Sequence, residues 1–181
     1  MSFRYEFRLS GSGGQGLILA GKILAEAAAI YDDKNATQSQ SYGPEARGGS
    51  SRSEVIISDE EIDYPKAVNI DFLLCFTQEA CDKYCKDIKE NGILLVDSNY
   101  VTNIPKGKFK VYCLPLTEIA EKEAGKTLVA NIVALGIIVE LTRIISKEAV
   151  ASAILSRVPK GTEELNLKAF NIGYDRAKTL K

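Results

Sequence analysis

The first 29 residues decide the fold of this chain. Residues 5–10, Tyr-Glu-Phe-Arg-Leu-Ser, alternate in the manner of a strand and run directly into Gly11-Ser12-Gly13-Gly14-Gln15-Gly16. Residues 17–29, Leu-Ile-Leu-Ala-Gly-Lys-Ile-Leu-Ala-Glu-Ala-Ala-Ala, are rich in strong helix formers and apolar on most faces. Because a helix that is apolar on most faces is buried, the stretch predicts a strand, a tight glycine turn and a helix packed against a sheet.

The rest of the chain continues this α/β pattern until Pro115 and is mainly helical afterwards. Residues 72–76, Phe-Leu-Leu-Cys-Phe, form a continuous apolar run typical of a strand covered on both faces. We predict a single domain over residues 1–181: a three-layer α/β/α, Rossmann-like fold with a mainly parallel sheet and a helical C-terminal third. The further strands are expected at 36–41, 52–58, 93–97 and 110–114. The further helices are expected from a Thr77 cap to about 88, closed by Asn91-Gly92, then over 128–143, from a Ser146 cap, and from Thr162 towards the end.

Composition excludes several classes of function. The 181 residues carry 23 basic and 24 acidic side chains, a net charge of −1 with a pI near 5.7, so the chain lacks the basic balance of a general nucleic-acid binder. It contains no histidine, which excludes a Ser-His-Asp triad, a Cys-His pair and a His-ligated metal site. We therefore expect no catalytic residue acting alone and no metal site in this chain.

The four cysteines, Cys75, Cys81, Cys85 and Cys113, lack the spacing of a cluster or zinc site. We expect free thiols, buried as small apolar residues in a reducing cytosol. No apolar run approaches the roughly 20 residues that cross a membrane, and the N-terminus has no signal-peptide core. The expected location is the cytoplasm, with no membrane partner.

The glycine turn satisfies the G-x-G-x-x-G spacing of dinucleotide-binding proteins. The companion acidic residue at the end of the second strand is missing, since Tyr42 and Gly43 follow that strand and Asp32 and Asp33 precede it. A purely structural turn that packs the first helix on the sheet is the other interpretation. Gln15, polar and inside the turn, favours an exposed and functional one.

A second loop, Ser41-Tyr42-Gly43-Pro44-Glu45-Ala46-Arg47-Gly48-Gly49, places an aromatic ring, a carboxylate and a guanidinium among glycines. Arg47 offers a planar fork suited to a carboxylate or phosphate. In a doubly wound sheet this loop lies at the same carboxyl edge as the glycine turn, where ligands bind. The alternative is a solvated loop in which Glu45 and Arg47 pair with each other.

Together the two loops resemble the gamma subunit of the 2-oxoacid:ferredoxin (acceptor) oxidoreductases. The resemblance continues through residues 55–58, Ile62, Pro65 and Asp71, and through 131–136 and 171–174, so that it covers essentially the whole chain. The Tyr-Gly-Pro-Glu-x-Arg-Gly-Gly form of the second loop is similar to the 2-oxoglutarate branch of the family.

The resemblance implies a multisubunit oxidoreductase that oxidatively decarboxylates a 2-oxo acid, 2-oxoglutarate above all, to its acyl-coenzyme A and passes electrons to ferredoxin or a similar acceptor. Thiamine diphosphate, Mg and iron–sulfur clusters would belong to partner subunits, since this chain has no Gly-Asp-Gly diphosphate–magnesium motif and no cluster spacing. The implied partners are thiamine-bearing alpha and beta subunits and a ferredoxin-like delta subunit. This chain would complete the active-site wall beside them, with coenzyme A as co-substrate.

Three functions remain open at this point: such a subunit, a free-standing dinucleotide-binding redox domain, and a structural scaffold that touches no ligand.

A subunit separated from its partners would also expose an apolar patch, so we expect homodimerisation of the isolated chain, near Pro44 or the helix at 128–143. Asn131, polar and early in that helix, is a candidate contact or an anchor between helix and loop. The candidate cofactor-binding residues are Gly11, Gly13, Gly14, Gln15, Gly16, Tyr42, Gly43, Glu45, Arg47, Gly48, Gly49 and Asn131.

Overall fold

Residues 2–43 and 49–180 are described by a computed structural model of the chain, and they fold around one six-stranded sheet. The strands are β1 (Arg4–Ser12), β2 (Asn35–Tyr42), β3 (Ser50–Ser58), β4 (Ile70–Cys75), β5 (Ile88–Asp97) and β6 (Lys110–Leu114). The helices are α1 (Leu17–Glu26), α2 (Gln78–Tyr84), α3 (Leu116–Ile119), α4 (Ala130–Thr142), α5 (Lys147–Arg157) and α6 (Glu163–Lys178).

The sheet has the order β2-β3-β1-β4-β5-β6 and is mainly parallel. β1, β4, β5 and β6 pair in parallel, whereas β3 runs antiparallel to both of its neighbours. The short connection between β2 and β3 explains this exception, because a parallel pair needs a crossover of a dozen or more residues. The predicted α/β class with a mainly parallel sheet is confirmed.

The two faces of the sheet are covered unequally. Phe7, Val55 and Phe72 belong to the face beneath α1, α4, α5 and α6 and are fully buried there. Leu73 and Leu94 belong to the opposite face, beneath α2. The layers therefore number three, with most of the helical mass on one side.

α4 and α6 cross at two glycines. An added Cβ at Gly173 would lie 1.9 Å from the Val133 carbonyl oxygen, and one at Gly136 would lie 2.1 Å from that of Phe170. Only glycine permits this approach, and α4 is buried over almost its whole length as a result. The interface expected on the helix at 128–143 is therefore not provided by the buried part of α4, and Leu128, in the turn before α4, is the exposed large apolar side chain of that range.

The stretch before β5 differs from the prediction. α2 ends at Tyr84, a 3₁₀ turn follows, and β5 begins at Ile88, so Asn91-Gly92 lies inside a strand and does not close a helix. Asn91 has φ +66°, and an added Cβ at Gly92 would lie 3.1 Å from the Asp71 carbonyl oxygen. The pair accommodates an irregularity in the pairing of β4 with β5, which local sequence does not distinguish from a helix end.

Both predicted helix caps are confirmed. Thr77 Oγ1 accepts a hydrogen bond from Ala80 N at 3.2 Å, and Ser146 Oγ accepts one from Ala149 N at 3.1 Å. Within the described ranges, no helix has the length and hydropathy needed to cross a membrane.

Three of the four thiols, those of Cys75, Cys81 and Cys85, are buried on the α2 side of the sheet, as predicted. The Sγ atoms of Cys81 and Cys85 lie 3.3 Å apart, and hydrogen bonds from Cys75 and Cys85 lower the pKa of the Cys81 thiol below its ordinary value. Cys113 is exposed, which corrects the expectation for that residue, because β6 is an edge strand.

Candidate functional site

The glycine turn lies between the carboxyl end of β1 and the first residue of α1. Gly14 has φ +85° and Gly16 has φ +71°, values that favour glycine. An added Cβ at Gly14 would meet no atom of the described chain within 4 Å, whereas one at Gly16 would lie 2.3 Å from Asn131 Nδ2. Gly16 is thus required by packing, and Gly14 opens the turn towards the outside.

Gln15 folds back over its own turn. Its Oε1 accepts a hydrogen bond from Ser12 N at 2.8 Å, and an added Cβ at Gly11 would lie 2.2 Å from that same oxygen. Glycine at position 11 therefore makes room for the side chain that fixes the turn. Within the described part of the chain no group accepts from the Gln15 amide nitrogen, so its two donors are left for solvent or a bound group.

Asn131 connects the start of α4 to this turn. Its Nδ2 donates to the Gly16 carbonyl oxygen at 2.9 Å, and the same oxygen accepts from Ala20 N at 3.0 Å. Asn131 Oδ1 is buried and has no partner among the described residues. Both roles considered for Asn131 are therefore compatible with its position, since it anchors the turn with one atom and leaves an acceptor unused with the other.

A cavity of about 190 Å³ opens beside the turn, at the carboxyl edge of the parallel strands. Tyr100 and Leu128 belong to its lining and are 55% and 73% exposed. The edge of the sheet brings these residues together because each follows a parallel strand or begins a helix there. Its lining comprises Gly14, Gln15, Phe76, Tyr100, Thr117, Thr127, Leu128 and Ala130.

Sequence reasoning predicted Gly14 and Gln15 but missed the other six lining residues: Phe76, Tyr100, Thr117, Thr127, Leu128 and Ala130. One signal was available: residues directly after buried parallel strands lie at this edge.

A buried carboxylate holds part of this wall in place. Asp97, fully buried at the end of β5, accepts hydrogen bonds from the Thr117 backbone N at 3.2 Å, from the Thr117 hydroxyl, and from Asn99 N at 3.1 Å. Asp97 thus positions Thr117, a lining residue, without lining the cavity itself.

The second loop reaches the turn through its last residue. Gly13 N donates to the Gly49 carbonyl oxygen at 2.8 Å, and Gly43 N donates to the Ser50 carbonyl oxygen at 2.7 Å. The ends of the loop therefore lie at the carboxyl edge, as predicted. Glu45, Arg47 and Gly48 lie outside the described residues.

Tyr42 is separated from the glycine turn by β3. In the register of the sheet Tyr42 faces Ser51, which in turn faces Gly11, and the ring of Tyr42 is 65% exposed at the outer edge. Its hydroxyl accepts a weak hydrogen bond from Gln40 Nε2 at 3.4 Å. A binding role for Tyr42 stays a prediction.

The acidic residues expected of a dinucleotide site are at the opposite end of the sheet. Asp32 accepts hydrogen bonds from the backbone N and the hydroxyl of Ser146, at 2.6 and 2.7 Å. Burial alone would raise the pKa of the Asp32 carboxyl, but these bonds and the nearby Lys34 ammonium lower it below its ordinary value. Asp32 therefore anchors α5 to the chain before β2, at the end of the strands opposite to the glycine turn.

Residues 6–176 match the model of the pyruvate ferredoxin/flavodoxin oxidoreductase family, which is almost the whole chain. The chain belongs to this family. It is 56% identical to the 2-oxoglutarate synthase subunit KorC of Methanocaldococcus jannaschii, over 99% of the chain and 97% of that protein. It is 48% identical to the corresponding subunit of Methanothermobacter thermautotrophicus, over 95% of the chain and 94% of that protein.

The fold also matches solved members of the family. The gamma subunit of a keto/oxoacid ferredoxin oxidoreductase from Geobacter sulfurreducens superposes with a TM-score of 0.87 at 56% identity, covering 97% of this chain and 99% of that one. A 2-oxoglutarate:ferredoxin oxidoreductase from Magnetococcus marinus matches with a TM-score of 0.86 at 24% identity, covering 98% of this chain and 32% of that one. The second match shows the fold alone, and it shows that the same fold occurs as one part of a longer chain. The resemblance deduced from the two loops is confirmed.

Proposed function

We propose that this chain is the gamma subunit of a 2-oxoglutarate:ferredoxin oxidoreductase, and that it completes an active site shared with thiamine-bearing subunits. The observation that carries the proposal is 56% identity over nearly the full length of a 2-oxoglutarate synthase subunit. Family membership and the relatives' names make the chain a subunit of a 2-oxoacid:ferredoxin oxidoreductase. The choice of 2-oxoglutarate among 2-oxo acids rests on the identity and on the form of the second loop.

The geometry of this region is that of one wall of a binding site, and the chain alone does not enclose a complete site. The cavity beside the glycine turn measures about 190 Å³, smaller than the roughly 300–1,000 Å³ of ordinary small-molecule sites. Two of its lining side chains, Tyr100 and Leu128, are largely exposed, as expected for a surface that meets another subunit. The chain has no histidine to move a proton.

We assign coenzyme A to this edge as a co-substrate. The Magnetococcus enzyme carries 2-oxoglutarate, coenzyme A and succinyl-coenzyme A in its solved structure. In our chain the unpartnered Asn131 Oδ1 can accept from an amide N–H, and the free amide of Gln15 can donate to a carbonyl or phosphate oxygen. Gly14 leaves space for a close approach. Arg47 would face an anionic group, with Glu45 and Tyr42 orienting it.

Thiamine diphosphate, Mg and iron–sulfur clusters would be held by the partners. The donor atoms of the described chain do not fit a metal or a cluster, since no three His, Cys, Asp or Glu side chains in it are grouped to hold one. We assign the thiamine chemistry to alpha and beta subunits and the electron transfer to a ferredoxin-like delta subunit. The residues of this chain then bind, orient and exclude water at the shared boundary.

A free-standing dinucleotide-binding domain is not favoured, because Asp32 is bound to Ser146 at the wrong end of the sheet. A scaffold without ligand contacts predicts normal turnover in assembled complexes that carry changes at Gly14, Gln15 or Arg47. Arg47→Ala tests it directly: we expect the variant chain to fold and join the complex while the coupled activity falls. Normal turnover of that assembled complex would remove Arg47 from the site.

The decisive experiment is anaerobic affinity purification of the tagged chain from its own cells. We expect thiamine- and cluster-bearing proteins to co-purify, and the eluate to reduce a dye only when both a 2-oxo acid and coenzyme A are supplied. A panel of 2-oxoglutarate, pyruvate and a branched-chain 2-oxo acid identifies the substrate. A preference for pyruvate would refute the substrate assignment, and recovery of the chain alone from active extract would refute the assignment of a subunit.

A further inference from the structure

β2 is an unusually open edge of the sheet. It pairs with β3 on one side through the continuous register Asn35↔Ser58 to Tyr42↔Ser51, and no strand of the described chain lies on its other side. Strand edges are ordinarily protected by charged residues, proline or bulges. The stretch Asn-Ala-Thr-Gln-Ser-Gln-Ser-Tyr has none of these. The opposite edge strand, β6, is shorter and begins with Lys110.

The pairing with β3 determines which backbone groups point outward. Gly43 N donates to the Ser50 carbonyl oxygen, so position 43 belongs to a hydrogen-bonded pair with β3. Such pairs alternate along an antiparallel ladder. The odd-numbered residues of β2 therefore bond to β3. The even-numbered residues, Ala36, Gln38, Gln40 and Tyr42, direct their N–H and C=O groups away from the sheet.

This outward row is complementary to itself. A second copy of β2 laid antiparallel, with a two-fold axis beside Ser39, pairs Ala36 with Tyr42 and Gln38 with Gln40 in both directions. All the outward backbone groups then have partners. Since Asn35–Tyr42 contains no charged side chain, the arrangement brings no like charges opposite each other.

A groove beside β2 supplies a place for one side chain of the second copy. It has a volume of about 400 Å³. Ala25, Ala29, Ile30 and Ala36 supply the apolar part of its lining, and Lys22, Glu26, Gln38 and Arg157 supply the polar part. Ile30 is 69% exposed there. Tyr42 and Ala36 belong to the same face of the sheet, because successive side chains of a strand alternate between faces. The two-fold arrangement places Tyr42 of one copy directly opposite Ala36 of the other, where its ring can enter this groove.

We propose that two copies of this chain pair through β2, forming a continuous sheet of two domains with Ser39 at the two-fold axis. The proposal is independent of the proposed function, because it rests on the edge of the sheet and not on the glycine turn. It also gives Tyr42 a different role from orienting Arg47. The partner is a second copy of this chain for two reasons. The two-fold register pairs every outward backbone N–H and C=O group of β2, and the groove beside β2 can accept the Tyr42 ring of the second copy.

Cysteine cross-linking of the full chain tests the register. In a Cys113→Ser background, which removes the exposed thiol, Ser39→Cys places two thiols opposite each other at the axis, and we expect a covalent dimer under mild oxidation. Thr37→Cys and Ser41→Cys are the matched controls. Neither residue faces itself, so each variant alone stays unlinked, whereas a mixture of the two links. An unlinked Ser39→Cys chain would overturn the proposal.

Light scattering during size-exclusion chromatography gives a second test. We expect twice the monomer mass for the natural chain and for Gln38→Ala, which keeps the outward N–H. Gln38→Pro removes that N–H without touching the bonds to β3, so it should shift the chain to monomer while its circular dichroism is unchanged. A monomeric natural chain, or a dimer that survives Gln38→Pro, would refute pairing through β2.

Discussion

The buried polar groups at the two ends of the parallel strands differ in how completely they are hydrogen-bonded. At the amino end, the buried Glu6 accepts from Val68 N at 2.7 Å, from Asn69 N at 2.9 Å and from Arg4 Nε at 2.8 Å. At the carboxyl end, Asn131 Oδ1 is buried without a partner in the described chain. Buried polar groups are nearly always satisfied. The other buried side-chain atom without a hydrogen bond in the described chain, Arg8 Nε, still lies 3.4 Å from Glu54 Oε1 in an ion pair, so the unused acceptor of Asn131 indicates that a ligand or subunit completes the carboxyl end.

Stability and function are assigned to different ends of the sheet in this domain. Asp71, like Glu6 at the amino end, accepts from Glu6 N at 2.8 Å and pairs with Lys89, although burial raises the pKa of its carboxyl. Around the glycine turn, by contrast, Gly14 faces open space. Changes at the amino end should cost folding free energy, and changes at the carboxyl end should cost activity of the complex.

The largest effect is expected from Glu6→Ala. The change leaves two backbone N–H groups and the Arg4 guanidinium without their acceptor, and we expect a loss of about 3 kcal/mol in the free energy of unfolding. Chemical denaturation measures it. Glu6→Gln keeps one acceptor and should cost less. A loss below about 1 kcal/mol for Glu6→Ala would contradict a stabilising role for this end.

Gly14→Ala tests the carboxyl end of the parallel strands. The methyl group extends into the open space beside the turn, and we expect a fall on the order of tenfold in turnover per assembled complex. The matched control is Gly125→Ala, since Gly125 also has a positive φ, +97°, and also faces open space, but is not part of the cavity lining. Both variants should lose about 1 kcal/mol of stability from backbone strain. Equal turnover of the two would remove the glycine turn from the site.

A smaller effect, a several-fold loss of turnover, is expected from Asn131→Ala. The Gly16 carbonyl keeps its bond from Ala20 N, so the cost in stability should be only about 1 kcal/mol. Asn166→Ala is a suitable comparison because Asn166 is also a buried helical amide that donates to a carbonyl, that of Thr162 at 2.9 Å. Steady-state assays and denaturation should show similar stabilities and a loss of turnover only for Asn131→Ala.

The smallest effect is a pH dependence at Asp32. Its folded-state pKa is lowered, so its contribution to stability is present above the ordinary carboxyl range and is lost as pH falls through the folded value. We expect Asp32→Asn to cost about 1 kcal/mol at neutral pH, with a difference from the natural chain that disappears on acidification. Asp33→Asn, at the exposed neighbouring carboxylate, should show no such convergence. A constant difference across the pH range would contradict the assignment.

The order of the elements and the position of the glycine turn follow from local patterns in the amino-acid sequence. Continuous apolar runs such as 72–76 require cover on both faces, and a hydroxyl before a helix, as at Thr77 and Ser146, marks its start. These signals are local, because they depend on backbone propensity and on which faces of one segment are apolar. The family resemblance could be seen in the two loops for the same reason, because each loop is a short local motif with its own chemistry.

The residues that surround the glycine turn are brought there by tertiary packing. Asn131 contacts Gly16 across 115 positions of sequence, and Tyr100 and Leu128 reach the same cavity from different elements. The sequence of Asn91-Gly92 does not distinguish a strand irregularity from the end of a helix, because the strand conformation of this pair depends on the pairing of β5 with β4. Such contacts are fixed by the packing of distant segments against one another, which no local pattern of side chains specifies.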